Sequence, residues 1–372
     1  MITFLILCST YITPSHRQHN HLPTEVCETI IDCIADIWDD RRNADLARCA
    51  HVCKSWVPRA QMCLFSFVCI DTAIDLVNVL RVIQKKRFLL QYIKHVVTPV
   101  DRDHRCTGNT SFLNTYHMPN LQQATIPYLD LKEVHPYLDR FPTTSTSLKQ
   151  LNLTWCKTED ASRLGRFVTS FRSLSTLILT WHGSPGKMNH FPHLQFNRSR
   201  CSLESLVIQI TYNISIILQC LIQAPPFLTR LKYATFLCPY PGWDRPKHSP
   251  VRKIETLLHH CRQSIEEVTI VLGCYPQLPT GTNYELEEMV QKDTDDPYVE
   301  YRQFCEDAGW LDSLLSDESF SSLRKLRVIG ILPKPIAFLK LEARNIKVDV
   351  TRKARLLSLH ESTQCTYHFN SV

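Results

Sequence analysis

Six segments of this chain share one spacing: an apolar residue, two others, an apolar residue, one other, and a third apolar residue. They are Leu148-Leu151-Leu153, Leu174-Leu177-Leu179, Leu203-Leu206-Ile208, Leu228-Leu231-Tyr233, Ile265-Val268-Ile270 and Leu323-Leu326-Val328. Leu121-Ala124-Ile126 is a weaker match, and Ile93 to Val97 weaker still. Starts at 121, 148, 174, 203 and 228 lie 27, 26, 29 and 25 residues apart, and the next intervals, to 265 and 323, lengthen to 37 and 58. A run this short cannot bury its leucines alone and must stack on copies of itself. Helix-like runs separate the strands, at 163–171, 214–224 and 251–261. The pattern predicts an α/β fold, a curved solenoid with parallel strands and outer helices over 93–350, with insertions at about 238–250 and 276–318. Ordinary α/β alternation is the alternative.

The bulk numbers exclude several classes. Of 372 residues, 44% are apolar, enough for a sizeable core, and 21% are charged. A net charge of +6 over this length is no nucleic-acid signature. No stretch approaches the roughly 20 apolar residues of a membrane span. Sixteen cysteines are many, but several sit in apolar runs, such as Cys33 and Cys220, and no C-x-x-C pair occurs. They read as reduced core residues in a reducing compartment, cytoplasmic or nuclear. The apolar start M-I-T-F-L-I-L-C lacks a basic flank, so 1–20 reads as a tail, as does 351–372. Of four glycosylation sequons, at Asn109, Asn152, Asn197 and Asn213, Asn152 falls inside a predicted strand.

Two helices are expected near the N-terminus. In the first, Val26, Ile30, Cys33, Ile34 and Ile37 recur at helical steps behind Pro23 and Glu25. A second is predicted from about Asp45 through Ala60. It contains C-A-H-V-C-K-S-W, which resembles a thiol–imidazole cluster. On one helix Leu46, Cys49, Ala50, Cys53 and Trp56 share a face, while His51 lies about 140° from Leu46. Coordination by that trio fails, and an apolar stripe remains.

Residues 21–65 carry a pattern that resembles an F-box: Leu22, Pro23, Glu25, Val26, Ile30 and Ile31, then Leu46, then Val52, Cys53, Lys54 and Trp56, with Leu64 and Phe65 closing it. The order of this segment, a linking strand and helix at 66–92, and then repeats resembles the large set of fungal F-box proteins with leucine-rich repeats. The resemblance implies a small helical domain that docks on a Skp-type adaptor, and through it a cullin–RING ubiquitin ligase, while the repeats hold a protein substrate. Carried over by position, the adaptor-facing residues are Leu22, Pro23, Ile30, Leu46, Val52, Cys53 and Trp56. The resemblance implies no catalytic residue, metal or cofactor.

The sequence offers no enzyme signature either: phosphate-cradling, dinucleotide, zinc-protease and nucleophile-elbow motifs are all missing. Strand parity instead sorts a substrate face. Its expected outward residues include Gln150, Asn152, Thr154, Thr176, Ile178, Thr180, Ser205, Val207 and Gln209. Further along come Arg230, Lys232, Ala234, Glu267, Thr269, Val271, Lys325, Arg327 and Ile329, while Trp155 and Trp181 point inward. Arg230, Lys232, Lys325 and Arg327 are expected to form a basic patch for an acidic or phosphorylated partner. The proline-rich loop 238–250 offers Tyr240 and Trp243 as contacts, and the acidic segment 284–307 reads as a lid or a solvated helix pair. The competing readings are a non-catalytic repeat scaffold and a secreted repeat glycoprotein.

Overall fold

A repeating polar residue, buried aliphatic and strand is the unit from which the computed structural model is built. The structure describes residues 23–36, 41–70, 72–98, 113, 115–127, 140–156, 161–181, 203–209, 218, 221–222, 225–238, 251–272, 274–275, 311–330, 339–352 and 357–358. Two compact units divide the chain: Met1–Pro127 with Val134–Lys149, and Tyr128–Glu133 with Gln150–Val372.

The first unit opens with helices α1 (Thr24–Asp36), α2 (Arg42–Val52) and α3 (Val57–Ser66). Strand β1 (Phe67–Cys69), helix α4 (Ala73–Lys85), a 3-10 turn (Arg87–Tyr92), β2 (His95–Val97), β3 (Gln123–Pro127) and α5 (Phe141–Thr144) follow. Strand β1 pairs with β2, and β2 with β3, all parallel. Thr72 caps α4: its Oγ1 accepts from the Asp75 amide at 3.1 Å, and the Asp75 carboxylate accepts from the Thr72 amide at 3.1 Å. This reciprocal cap satisfies donors that a helix start leaves orphaned.

The second unit contains β4 (Gln150–Cys156), α6 (Ala161–Thr169), β5 (Thr176–Trp181), β6 (Ser205–Gln209), α7 (Pro225–Leu228), β7 (Tyr233–Cys238), α8 (Val251–His260) and β8 (Glu267–Leu272). After β9 (Cys274–Tyr275) come β10 (Lys325–Gly330), α9 (Leu339–Ala343), β11 (Lys347–Arg352) and β12 (Leu357–Ser358). Pairing runs in chain order through β4, β5, β6, β7, β8, β10 and β11, always parallel, and the short β9 and β12 pair apart. The fold is thus mixed α/β with parallel strands, as the repeat predicted.

A second regularity runs beside the strands. In the first unit, backbone amides of Lys94, Gln122 and Lys149 donate to the carbonyls of Ser66, Lys94 and Gln122. In the second, Glu204, Lys232, Glu266 and Arg324 donate to Ser175, Glu204, Lys232 and Glu266, at 2.8–2.9 Å. Each donor directly follows a buried aliphatic: Ile93, Leu121, Leu148, Leu203, Leu231, Ile265 or Leu323. The residue before that aliphatic often seals the turn. Ser147 Oγ donates to Pro119 and Leu121 oxygens, Ser264 Oγ to Leu231 O, and Ser322 Oγ to Gln263 O. Packing one apolar side chain and satisfying its neighbouring backbone thus happen in the same step.

Three expectations need correcting. The unit assigned to Leu228-Leu231-Tyr233 is displaced by three residues: Leu206 and Ile208 stand opposite Ala234 and Phe236. Its leading leucine is therefore Leu231, and its outward residues are Tyr233, Thr235 and Leu237. Leu228 is also buried, so hydrophobicity alone could not choose between the two leucines. The outward face, secondly, is no open surface. Ile178, Val207, Leu237, Val271 and Ile329 form a buried cluster there, beside buried Thr180, Gln209, Thr235, Thr269 and Arg327. Parallel strands are characteristically covered on both sides; β6 is buried at all five positions. Thirdly, part of the expected insertion at 276–318 is core, because residues 311–315 are helical and bury Leu311, Leu314 and Leu315.

Asp312 carries the cap for α9. Its carboxylate accepts from the Lys340 and Leu341 amides at 3.2 and 3.0 Å while almost fully buried. Arg344, at the far end of that helix, donates to the Leu315, Asp317 and Phe320 carbonyls. Asp312→Ala is expected to cost about 1–2 kcal/mol in urea unfolding, and Asp312→Asn less, because the amide keeps one acceptor.

His95 stacks edge-to-face on Phe67, with centroids 4.8 Å apart, and stands opposite Phe67 and Gln123 in the strand register. Neither neighbour titrates. Burial pulls the His95 pKa from 6.5 to about 4. The unfolded chain takes up a proton below about 6.5 that the folded chain refuses until about 4, so stability is full above that window and falls as pH drops through it. Between pH 7.5 and 5 the loss is expected to be about 2 kcal/mol. A thermal midpoint that falls over this range in the wild type, and falls less in His95→Gln, is the expected result.

Candidate docking surface

The three N-terminal helices close a small core of their own. Ile31 from α1, Leu46, Cys49 and Ala50 from α2, and Ala60 and Cys63 from α3 are buried together, with Ile34, Ala35, Trp56, Met62 and Leu64 packed around them. The Pro23 carbonyl accepts from the Val26 and Cys27 amides and starts α1. Charge then ties the helices. Arg59 grips Asp32 with two donors, linking α3 to α1. Arg42 Nε donates to Ala35 O at 2.6 Å, and its second nitrogen reaches Cys63 O at 3.3 Å. The Arg59 hydrogen bonds hold the Asp32 carboxyl below its ordinary pKa.

The long second helix expected over 45–60 is two helices. Cys53 is extended, with φ −162° and ψ 166°, and α3 starts afresh behind Trp56. Pro58 is the cause. A proline has no amide for an interior helix bond and its ring clashes with the preceding turn, yet it is tolerated in a first turn. The predicted stripe is cut accordingly: Leu46 and Cys49 stay in the core, and Cys53 and Trp56 are half-buried. His51 is exposed while Cys49 is buried, so the two belong to opposite sides of α2.

The thiols differ in kind. Burial pushes the Cys49 and Cys63 thiols up, and Cys261 up to about 12. At Cys53 burial also acts upward, but hydrogen bonds from Ser55 and from the Trp56 and Ser55 amides outweigh it and leave the thiol below its usual value.

Apolar residues that the core does not use stand on the surface. Val26 and Ile30, four apart on α1, are 43% and 37% exposed, and Val52 at the end of α2 is 62% exposed. Of the residues that the resemblance marked, Pro23, Ile30 and Val52 are exposed. Leu46 is fully buried and acts as core, a correction forced by its position between α1 and α3. Leu22 lies outside the described residues. Val26 was legible in its helical spacing from Ile30 and in the F-box-like pattern, though not among the residues marked as adaptor-facing.

The expected basic patch does not assemble. Lys232 Nζ lies 3.7 Å from Glu266, Lys325 Nζ 3.3 Å from Asp349, and Arg327 Nε 2.8 Å from Glu267. Arg327 is buried, and Arg230 is exposed in the turn before β7 rather than on a strand. Each of those three cations thus has a carboxylate within 4 Å. Tyr240 and Trp243, the rest of the loop 239–250, the acidic segment 284–307 and the side chains of Trp155 and Trp181 lie outside what the structure describes.

No protein-family model matches the chain, and a search of curated proteins returns no match. Among the described residues no helix is long and apolar enough to cross a membrane, and no group of three or more His, Cys, Asp or Glu side chains could hold a metal ion.

Cysteine accessibility checks this arrangement. Among the described cysteines, iodoacetamide followed by mass spectrometry is expected to modify exposed Cys33 and half-buried Cys53 before the buried ones. Cys27, Cys49, Cys63 and Cys261 should react at least roughly tenfold more slowly until the protein is unfolded.

Proposed function

We propose that the three-helix segment binds a Skp-type adaptor, and that the chain is a non-catalytic substrate-recognition subunit of a Skp–cullin–F-box ubiquitin ligase. The strand-bearing region would then present a protein substrate. One observation carries the reading: Val26, Ile30 and Val52 face solvent although the helical core is already closed without them. Burying an aliphatic side chain of this size is worth about 1.5–3 kcal/mol. Three left exposed on so small a unit are best explained by a protein that covers them. Pro23, which starts α1, lies next to Val26 in the same segment. This use needs no reactive group, in keeping with the absence of catalytic motifs from the sequence. In the cell such a chain works in the cytoplasm or nucleus.

The test is capture by a purified Skp-type adaptor. The wild-type chain is expected to be retained. Ile30→Asp combined with Val52→Asp should weaken retention by at least roughly tenfold, about 1.4 kcal/mol, with the thermal midpoint little changed because both residues are exposed. No capture, or capture untouched by the double change, would overturn the proposal in favour of a plain interaction scaffold.

A further inference from the structure

A second exposed surface lies on α4, outside the three-helix core. Its buried residues are Leu76, Val79, Val82 and Ile83. On the opposite side Ile74 is 73% exposed and Val77 52% exposed. Arg81, Gln84 and Lys85 are exposed as well. At 100° per residue, Ile74, Val77, Arg81, Gln84 and Lys85 all fall within an arc of about 100°. Beyond them, in the 3-10 turn, Arg87 is exposed and Phe88 is 51% exposed, its ring edge-on to Tyr92 with centroids 6.3 Å apart.

Charge is one-sided here. Residues 72–93 hold Arg81, Lys85, Lys86 and Arg87 against a single acid, Asp75. Asp75 is engaged with Thr72 in the helix cap. Among the described residues Arg81, Lys85 and Arg87 form no ion pair. This contrasts with Lys232, Lys325 and Arg327, each of which meets a carboxylate.

We propose that this face of α4 binds a segment of a partner protein that carries apolar anchors at one end and acidic residues at the other. Charge complementarity calls for the acids, and exposed Ile74 and Val77 call for the anchors. Ile74 and Lys85 are eleven residues apart, about 16 Å along the axis. A ligand touching both spans at least that length, which a short peptide segment does. An anionic bilayer fits less well. Interfacial helices separate apolar and basic residues around the axis, whereas here Ile74 and Val77 share one face of α4 with Arg81 and Lys85. The contact is independent of adaptor docking, which uses α1 and α2.

The full chain should be probed on an array of peptides that pair an apolar half with an acidic half. The wild type is expected to bind a subset, more weakly as salt is raised. Arg81→Glu with Arg87→Glu, and separately Ile74→Asp, should each lower binding at least tenfold while adaptor capture is unchanged. No bound peptide, or binding that survives both changes, would overturn the proposal. So would flotation with phosphatidylserine vesicles in place of peptide binding, or loss of adaptor capture in the α4 variants, which would assign the face to the adaptor instead.

Discussion

The stacking of one buried aliphatic per repeat is the constraint on which the rest of this protein depends. Ile93, Leu121 and Leu148 in one unit, and Leu174, Leu203, Leu231, Ile265 and Leu323 in the other, are almost wholly removed from water. In nearly every case the next residue donates its amide to the corresponding residue of the preceding repeat. Hydrophobic burial and backbone satisfaction are thereby coupled. A slipped register would expose an aliphatic and orphan an amide together. The long intervals before Ile265 and Leu323 leave the pairing of β7 with β8 and β8 with β10 intact.

Covering both faces of the parallel strands changes what the repeat region can do. The cluster of Ile178, Val207, Leu237, Val271 and Ile329 makes the outward side a second core layer. Within it the charges are neutralised locally: Arg327 meets Glu267, and Lys325 meets Asp349. For an ion pair largely out of water, desolvation offsets much of the attraction, and removing one partner would leave the other charge buried and uncompensated. A cation so placed has little left to offer a ligand. Surfaces for partners are thus better sought on the helices, where apolar side chains remain outside any core.

The N-terminal unit shows how small helical cores leave such surfaces. Three short helices can bury only about one stripe each, and α1 spends Cys27 and Ile31 on the core. Its neighbours at 26 and 30 are turned away by the same geometry that brings 27 and 31 in. The paired Arg59–Asp32 and the Arg42 contacts to Ala35 and Cys63 set the helices against one another by charge and hydrogen bonding. The apolar surface is therefore free of structural duty.

Much of this was written in the sequence by itself. Leucine spacing determined parallel α/β repeats, because a period of that length with alternating apolar positions admits few other ways of hiding them. The split of His51 from Cys49 followed from helical angles alone. Tertiary structure decided the rest. Leu228 and Leu231 are both buried, and only pairing of β7 with β6 shows which leads the repeat. Pro58 was visible, yet its effect depended on whether it fell inside a helix or in a first turn. Strand parity separated the two faces in β4, β5, β6, β8 and β10 but inverted them in β7, where the repeat starts at Leu231; whether a face meets water depends on distant chain that no local pattern encodes. Alternation reports orientation and not cover.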